Sequence, residues 1–267
     1  MDGSTSGKRN TERFPDAPTR TLERGLFLLG LFDVDHPEWT LRDLREKSGL
    51  PKATTRRLMK TLEASGWVVY EPASGRWNLG SSALRALHLA LSSSELVRVA
   101  HPFLVRLTDE TTESSNLSIW THEGPLILDT VPTARPFKPY TFVNMLLPGI
   151  ASADAQVLVA YGTEEMQHKI LATPVEPRTK STVTDPQLLR ERWLTIRNEG
   201  VACDREEWME GAPGVAAPVF GKTGQIRAAL SIVAPIERFS EAEILRYAAA
   251  VKGSAAQLSK RLGYQSA

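Results

Sequence analysis

Between Leu41 and Lys60 the chain carries Arg42, Arg45, Lys47, Lys52, Arg56, Arg57 and Lys60 against only Asp43 and Glu46. Over the whole 267 residues the formal net charge is +1, so a local excess of five positive charges is a focused patch, the chemistry of a polyanion-binding surface. The other residues that could do chemistry lack the spacing it requires. Gly221-Lys222-Thr223 has the end of a phosphate loop, but Ala216 stands where its first glycine belongs and a strand pattern follows instead of a helix, so it reads as a hairpin turn. His36, His88, His101, His122 and His168 are scattered without metal-ligand spacing, and no G-x-S-x-G surrounds a serine. Glu206-Glu207 reads as structural, since neighbouring strand residues point to opposite faces, and Cys203 beside Asp204 reads as core filler. The expectation is no catalytic constellation, no metal, no cofactor and no enzyme.

Elements must position the basic residues. The length suggests about two domains, and a 42% hydrophobic composition is that of an ordinary soluble protein. One cysteine excludes an intramolecular disulfide, and without a long apolar run or a signal peptide the expected location is cytoplasmic, away from any membrane. Residues 1–18 are too polar to bury a core and are expected to be disordered. Leu22, Leu26, Leu29 and Phe32 recur at helical spacing. Thr40 and Asp43 have capping-box spacing ahead of a short helix that Gly49 ends. Pro51 fits the first turn of a third helix running to Ser65, and Trp67–Glu71 and Arg76–Leu79 flank a turn-rich Pro72-Ala73-Ser74-Gly75.

Angles along the third helix separate charge from grease. With Lys52 at zero and about 100° per residue, Arg56, Lys60 and Arg57 fall near 40°, 80° and 140°, while Leu58 and Leu62 fall near 240° and 280°. One face packs and the other meets double-stranded DNA, as in a helix-turn-helix whose following hairpin is a wing. Thr54, Thr55 and Arg56 are the base-edge candidates; Lys52, Arg57, Lys60 and Arg76, with Arg42 on the preceding helix, are the other DNA-binding candidates, chiefly for phosphate. Two rivals are a metabolite-binding or enzymatic domain with a basic appendage and a winged module used for protein contacts.

The second half alternates strand and helix patterns. Ser81–Leu91 is a helical connector and Ser94 caps the next helix. Ser115–Thr121, Pro125–Val131, Phe137–Val143, Val201–Asp204, Val215–Phe220 and Ile226–Val233 have strand character. Thr163–Leu171, a segment from the Thr184-Asp185-Pro186 start through Arg197, and a final helix capped by Ser240 read as helices, so an antiparallel sheet with flanking helices follows.

TRTLERGLFLLGLF, LRDLREKSGLPKATTRRLMKTLEASGWV and a wing ending GRWNLG resemble the winged helix-turn-helix domain of IclR-type transcriptional regulators, and GVACDREEWMEGAPGVAAPVF resembles that family's C-terminal signature. The resemblance covers nearly everything after Pro18. It implies an α+β fold: a DNA-binding domain over 19–80, a linker helix over 81–94, and a ligand-sensing domain of GAF-like α/β fold over 95–264. It also implies a repressor acting as a homodimer or tetramer on operator DNA under control of a small-molecule effector, an aromatic or small organic acid in most members. Effector contacts are implied at Leu147, Ala153, Asp154, Asp204, Ala212, Gly214, Ser231 and Val233. Where members of the family commonly carry small residues followed by Gly and Lys or Arg, this chain has Asp154-Ala155-Gln156. The expectation is that Asp154 either takes the place of a ligand carboxylate or caps a helix.

Overall fold

The computed structural model describes residues 19–33, 36–92, 94–147 and 149–265; the disordered-tail expectation for 1–18 falls outside them. The contacts divide the chain into two compact units on either side of residues 93 and 94.

In the first unit α1 (Arg20–Leu29), α2 (Leu41–Ser48) and α3 (Lys52–Ala64) surround a three-stranded antiparallel sheet in the order β1-β3-β2, formed by β1 (Glu38–Thr40), β2 (Val68–Glu71) and β3 (Arg76–Leu79). The Thr40 hydroxyl accepts the Asp43 N–H at 3.2 Å and donates to the Asp43 carboxylate at 2.7 Å, which starts α2. Gly49 ends it with φ +68°, a conformation that an L side chain resists. Leu28, Trp39, Leu44, Leu50, Leu58, Met59, Val68 and Trp77 form the core. Two details differ from expectation. Strand β1 was unforeseen: three residues are too short for a period, but Trp39 is buried and its indole N–H donates to the Leu31 carbonyl at 3.0 Å. Pro51 precedes α3 as its cap residue, with its carbonyl accepting from Thr55 N at 2.9 Å. After the wing, Gly80 lies against the Gly66 carbonyl, where an added Cβ would come within 2.2 Å of the oxygen. Helix α4 (Ser81–Ser92) follows and leaves Leu84 and Leu89 exposed.

The second unit is a five-stranded antiparallel sheet in the order β5-β4-β8-β7-β6, from β4 (Ser114–Thr121), β5 (Gly124–Val131), β6 (Ala202–Asp204), β7 (Gly214–Phe220) and β8 (Ile226–Val233). Period-2 alternation sends Val215, Ala217, Val219, Leu230 and Ile232 into one core with α5 (Glu95–Thr111) and α9 (Glu241–Arg261). It sends Ala216 and Ala229 into a second core with α6 (Ala153–Ala160) and α8 (Pro186–Glu199). Burial on both faces explains why β7 and β8 read as nearly continuous apolar runs. Every residue of α6 is buried, whereas α7 (Glu164–Leu171) has none that is. Phe137–Val143 forms no strand: Pro136 and Pro139 remove two backbone donors, Phe137 and Tyr140 are exposed, and only Leu146 bridges to Leu126.

Candidate functional site

Two sets of side chains stand out, one in each unit. On the first unit α2, the Gly49 turn and α3 present Arg42, Lys52, Arg56, Arg57 and Lys60 to solvent. Leu58 and Met59 anchor the opposite side of α3 in the core. No carboxylate among the described residues pairs with Arg42, Lys52, Arg56 or Arg57. Such cations break no prior ion pair in meeting a phosphate, with which they make strong charge-assisted hydrogen bonds. Lys60 and Arg76 are already engaged. Lys60 Nζ is 2.6 Å from Glu63 Oε2 and lies over the Tyr70 and Trp77 rings of the wing. Arg76 pairs with Glu38 at 3.0 Å.

Thr54 is half-buried, and Thr55 must be withdrawn as a base-edge reader. Its side chain is wholly buried, and the hydroxyl donates to the Pro51 carbonyl at 3.2 Å. The angular reasoning that placed the arginines puts Thr55 near 300°, between Leu62 and Met59 on the packed face.

The second set lies on the sheet face beneath the N-terminus of α6. Asn116 and Ser118 alternate on β4 toward α6; Ser231 stands directly opposite Asn116 on β8, and Ile127 opposite Ser118 on β5. Asp154 enters from the first turn of α6 and faces Ser118 and Ser231. The helix is capped by Ser152, whose hydroxyl accepts the Ala155 N–H at 3.2 Å, so Asp154 is not its cap. Asn116, Ser118, Asp154 and Ser231 are 3%, 0%, 7% and 1% exposed, yet Asn116 Oδ1, both serine Oγ atoms and Asp154 Oδ1 have no hydrogen-bond partner. The other face of β4 shows the usual outcome, with Ser115 Oγ bonded to Thr108 Oγ1 at 2.8 Å and donating to the Leu104 carbonyl at 3.0 Å. Burial pushes the Asp154 carboxyl above its ordinary range; the Ser118 and Ser231 hydroxyls stand near enough to oppose this, though neither completes a hydrogen bond of normal geometry to it.

Asp204 adjoins this cluster at the end of β6, paired in register with Gly214. It accepts the Glu207 N–H at 2.6 Å, yet burial foremost, and then the Glu207 and Asp154 charges, push it up to about 7. Glu207 is itself buried and ion-paired with Arg192, and Glu206 Oε1 accepts the Gly211 N–H at 2.6 Å. Both glutamates are thus structural, but in a turn rather than in a strand, with Glu206 at φ +63°. Ile127, Leu147, Ala151 and Trp208 pack into one apolar cluster that continues from the cap of α6. Gln156 is spent on the fold: its amide donates to the Ile150 carbonyl at 2.6 Å and accepts the Trp193 indole N–H at 2.9 Å.

Two family models match the chain. The one described as the IclR helix-turn-helix domain covers residues 21–72, and the one described as bacterial transcriptional regulator IclR C-terminal covers residues 88–260. The chain belongs to the IclR family. It is 31% identical to the regulator BhcR of Paracoccus denitrificans, over 90% of this chain and 86% of that protein. It is 29% identical to the transcriptional repressor IclR of Escherichia coli, over 91% and 90%. An IclR homologue from Microbacterium hydrocarbonoxydans, solved in complex with 4-hydroxybenzoate, superposes with a TM-score of 0.77 at 26% identity, covering 91% of this chain and 98% of that one. The IclR-type chain is a transcriptional regulator, with an N-terminal winged helix-turn-helix and a GAF-like C-terminal domain; the relatives compared are regulators, not named as enzymes.

All eight residues nominated for the ligand, Leu147, Ala153, Asp154, Asp204, Ala212, Gly214, Ser231 and Val233, are buried in this IclR-family domain. Gly214 pairs with both Asp204 and Val233 and approaches Ala153, which draws four of them together. Asn116 and Ser118 were missed. Their signal was present: polar residues at period 2 in SSNLSIWT, on a strand whose two faces are both covered. A separate open cleft of about 940 Å³, lined among others by Trp120, Gly149, Ile150, Met166, Ile170 and Arg178, contains none of the eight.

Proposed function

We propose that this IclR-family regulator represses transcription in the cytoplasm by binding double-stranded operator DNA as a homodimer or tetramer. Residues 19–80 bind DNA, 81–94 link, and 95–264 sense a small molecule. The observation that carries the reading is the outer face of α3, where Lys52, Arg56 and Arg57 are exposed without a carboxylate partner while Leu58 and Met59 hold the helix rigid. A helix of this kind fits the major groove, with Arg56 reading base edges and Lys52, Arg57 and Arg42 meeting phosphates. Lys60 and Arg76 reach DNA from positions set by the wing.

Ligand control is supported by the unpartnered buried atoms at Asp154, Ser118, Ser231 and Asn116 and by the 4-hydroxybenzoate complex of the Microbacterium hydrocarbonoxydans homologue. A ligand regulates only as far as it prefers one state; shifting the population from 1:99 to 99:1 takes roughly 5.5 kcal/mol of differential affinity. Electrophoretic mobility shift with the chain's own upstream DNA tests the DNA reading. Arg56→Ala is expected to lose at least tenfold on the operator and to relax sequence preference, as about 1–3 kcal/mol per base contact implies. Lys52→Ala is expected to weaken operator and random DNA alike. Equal losses on both DNAs for both variants refute this assignment.

A further inference from the structure

Resting on the reading of the second unit as the ligand-sensing domain, we propose that its ligand presents an uncharged or cationic hydrogen-bond-donor head, a hydroxyl or an amine rather than a carboxylate, to Asp154. The geometry is that of a nest with more acceptors than donors. Asp154 Oδ1, Asn116 Oδ1, Ser118 Oγ and Ser231 Oγ converge from three elements, each on a side chain more than nine-tenths buried, and each lacks a partner. Two of these atoms can only accept unless the carboxyl is protonated, and the two hydroxyls can do either.

Among the described residues no basic side chain pairs with the Asp154 carboxyl. Arg192 is committed to Glu207, and Gln156, in the next turn of α6, is held by Ile150 and Trp193. Asp204 adds a second acidic group, one close enough to feel the Asp154 charge. A ligand carboxylate entering here would bring a negative charge into a buried site that already holds two carboxyls, Asp154 and Asp204, which costs far more than the same approach in solution. An ammonium or hydroxyl instead supplies the donors that the orphan acceptors lack. Beside the nest, Ile127 shares the face of Ser118, and Leu147 and Trp208 extend the apolar wall, so the body of the ligand is aromatic or aliphatic.

A matched series isolates the head group. Benzoate, benzyl alcohol and benzylamine share one apolar body, and their binding to the full-length protein can be measured by ligand-observed NMR at pH 7.5. The alcohol and the amine are expected to bind at least tenfold more tightly than benzoate. Asp154→Asn should narrow that gap, and benzoate should gain affinity as the pH falls, because a protonated Asp154 can donate to it. Ser231→Ala, which removes one of the orphan hydroxyls, tests location independently of the charge and checks against loss of folding in the aspartate variant.

Benzoate binding most tightly, with affinity independent of pH and reduced by Ser231→Ala, would overturn the donor-head proposal while leaving the ligand site in place. Affinities for all three compounds that ignore both Ser231→Ala and Asp154→Asn but respond to Arg178→Ala in the open cleft would overturn the site itself. The absence of binding by any of the three also counts against the proposal, since the nest is claimed to accept the two donor heads.

Discussion

Asp204 ties the pocket to the acidity of the medium. Its carboxyl stands near 3.9 in an unfolded chain and is pushed up to about 7 in the fold, mainly by burial. Over that interval the folded state therefore binds more protons than the unfolded state, and the sign of the linkage makes stability fall as pH rises. Asp154 contributes in the same direction. Thermal melts of wild type should lose stability between about pH 4 and 7, and Asp204→Asn, which keeps an acceptor for the Glu207 N–H, should flatten that decline; identical slopes for the two proteins would remove Asp204 as the source. Thr55 sets the corresponding test on α3. Buried and bonded to the Pro51 carbonyl, it should tolerate Thr55→Val with operator preference intact, in contrast to Arg56→Ala, and a changed base preference in the valine variant would contradict its placement.

The elements rest on a few close approaches that a single atom can spoil. Gly80 closes the wing against the Gly66 carbonyl, with its own N–H donating to the Trp67 carbonyl at 2.8 Å. Gly80→Ala should cost the first unit about 1–3 kcal/mol by overpacking, readable as a lower denaturant midpoint; an unchanged midpoint would mean the hairpin can move aside freely. In the second unit Arg192→Ala strands the buried Glu207 carboxylate and should cost about 3 kcal/mol. Such elements were legible where a local signal stands in the chain: the Thr40, Ser94 and Ser240 caps each hold the N–H their position promises. They were illegible where tertiary context decides. Phe137–Val143 has the residue types of a strand but pairs with no strand, the nearby bridge being at Leu146, and β1 exists because β3 accepts it, with Trp39 opposite Trp77 in register. Likewise the polar alternation of β4 marks Asn116 and Ser118 only once the sheet is known to be covered on both faces.

For the molecule as a whole, near-neutrality and a strongly charged α3 have opposite consequences for binding. Thirty-two basic and 31 acidic side chains leave almost no net field to draw in nucleic acid from a distance. On the proposed reading affinity comes from the local contacts of Arg42, Lys52, Arg56 and Arg57, and each phosphate neutralised releases counterions. Operator affinity should therefore fall steeply with added salt, with a logarithmic slope that shrinks by about 1 for each phosphate contact removed. In a homodimer Lys52→Ala removes two such contacts at once, so its slope should be shallower than wild type by about 2. Thr55→Val, which alters the packed face of α3, should leave the slope unchanged. Measuring both slopes between 50 and 200 mM salt, the range where such losses are large, separates an electrostatic surface from a structural one: a Lys52→Ala slope equal to wild type would remove Lys52 from the phosphate contacts.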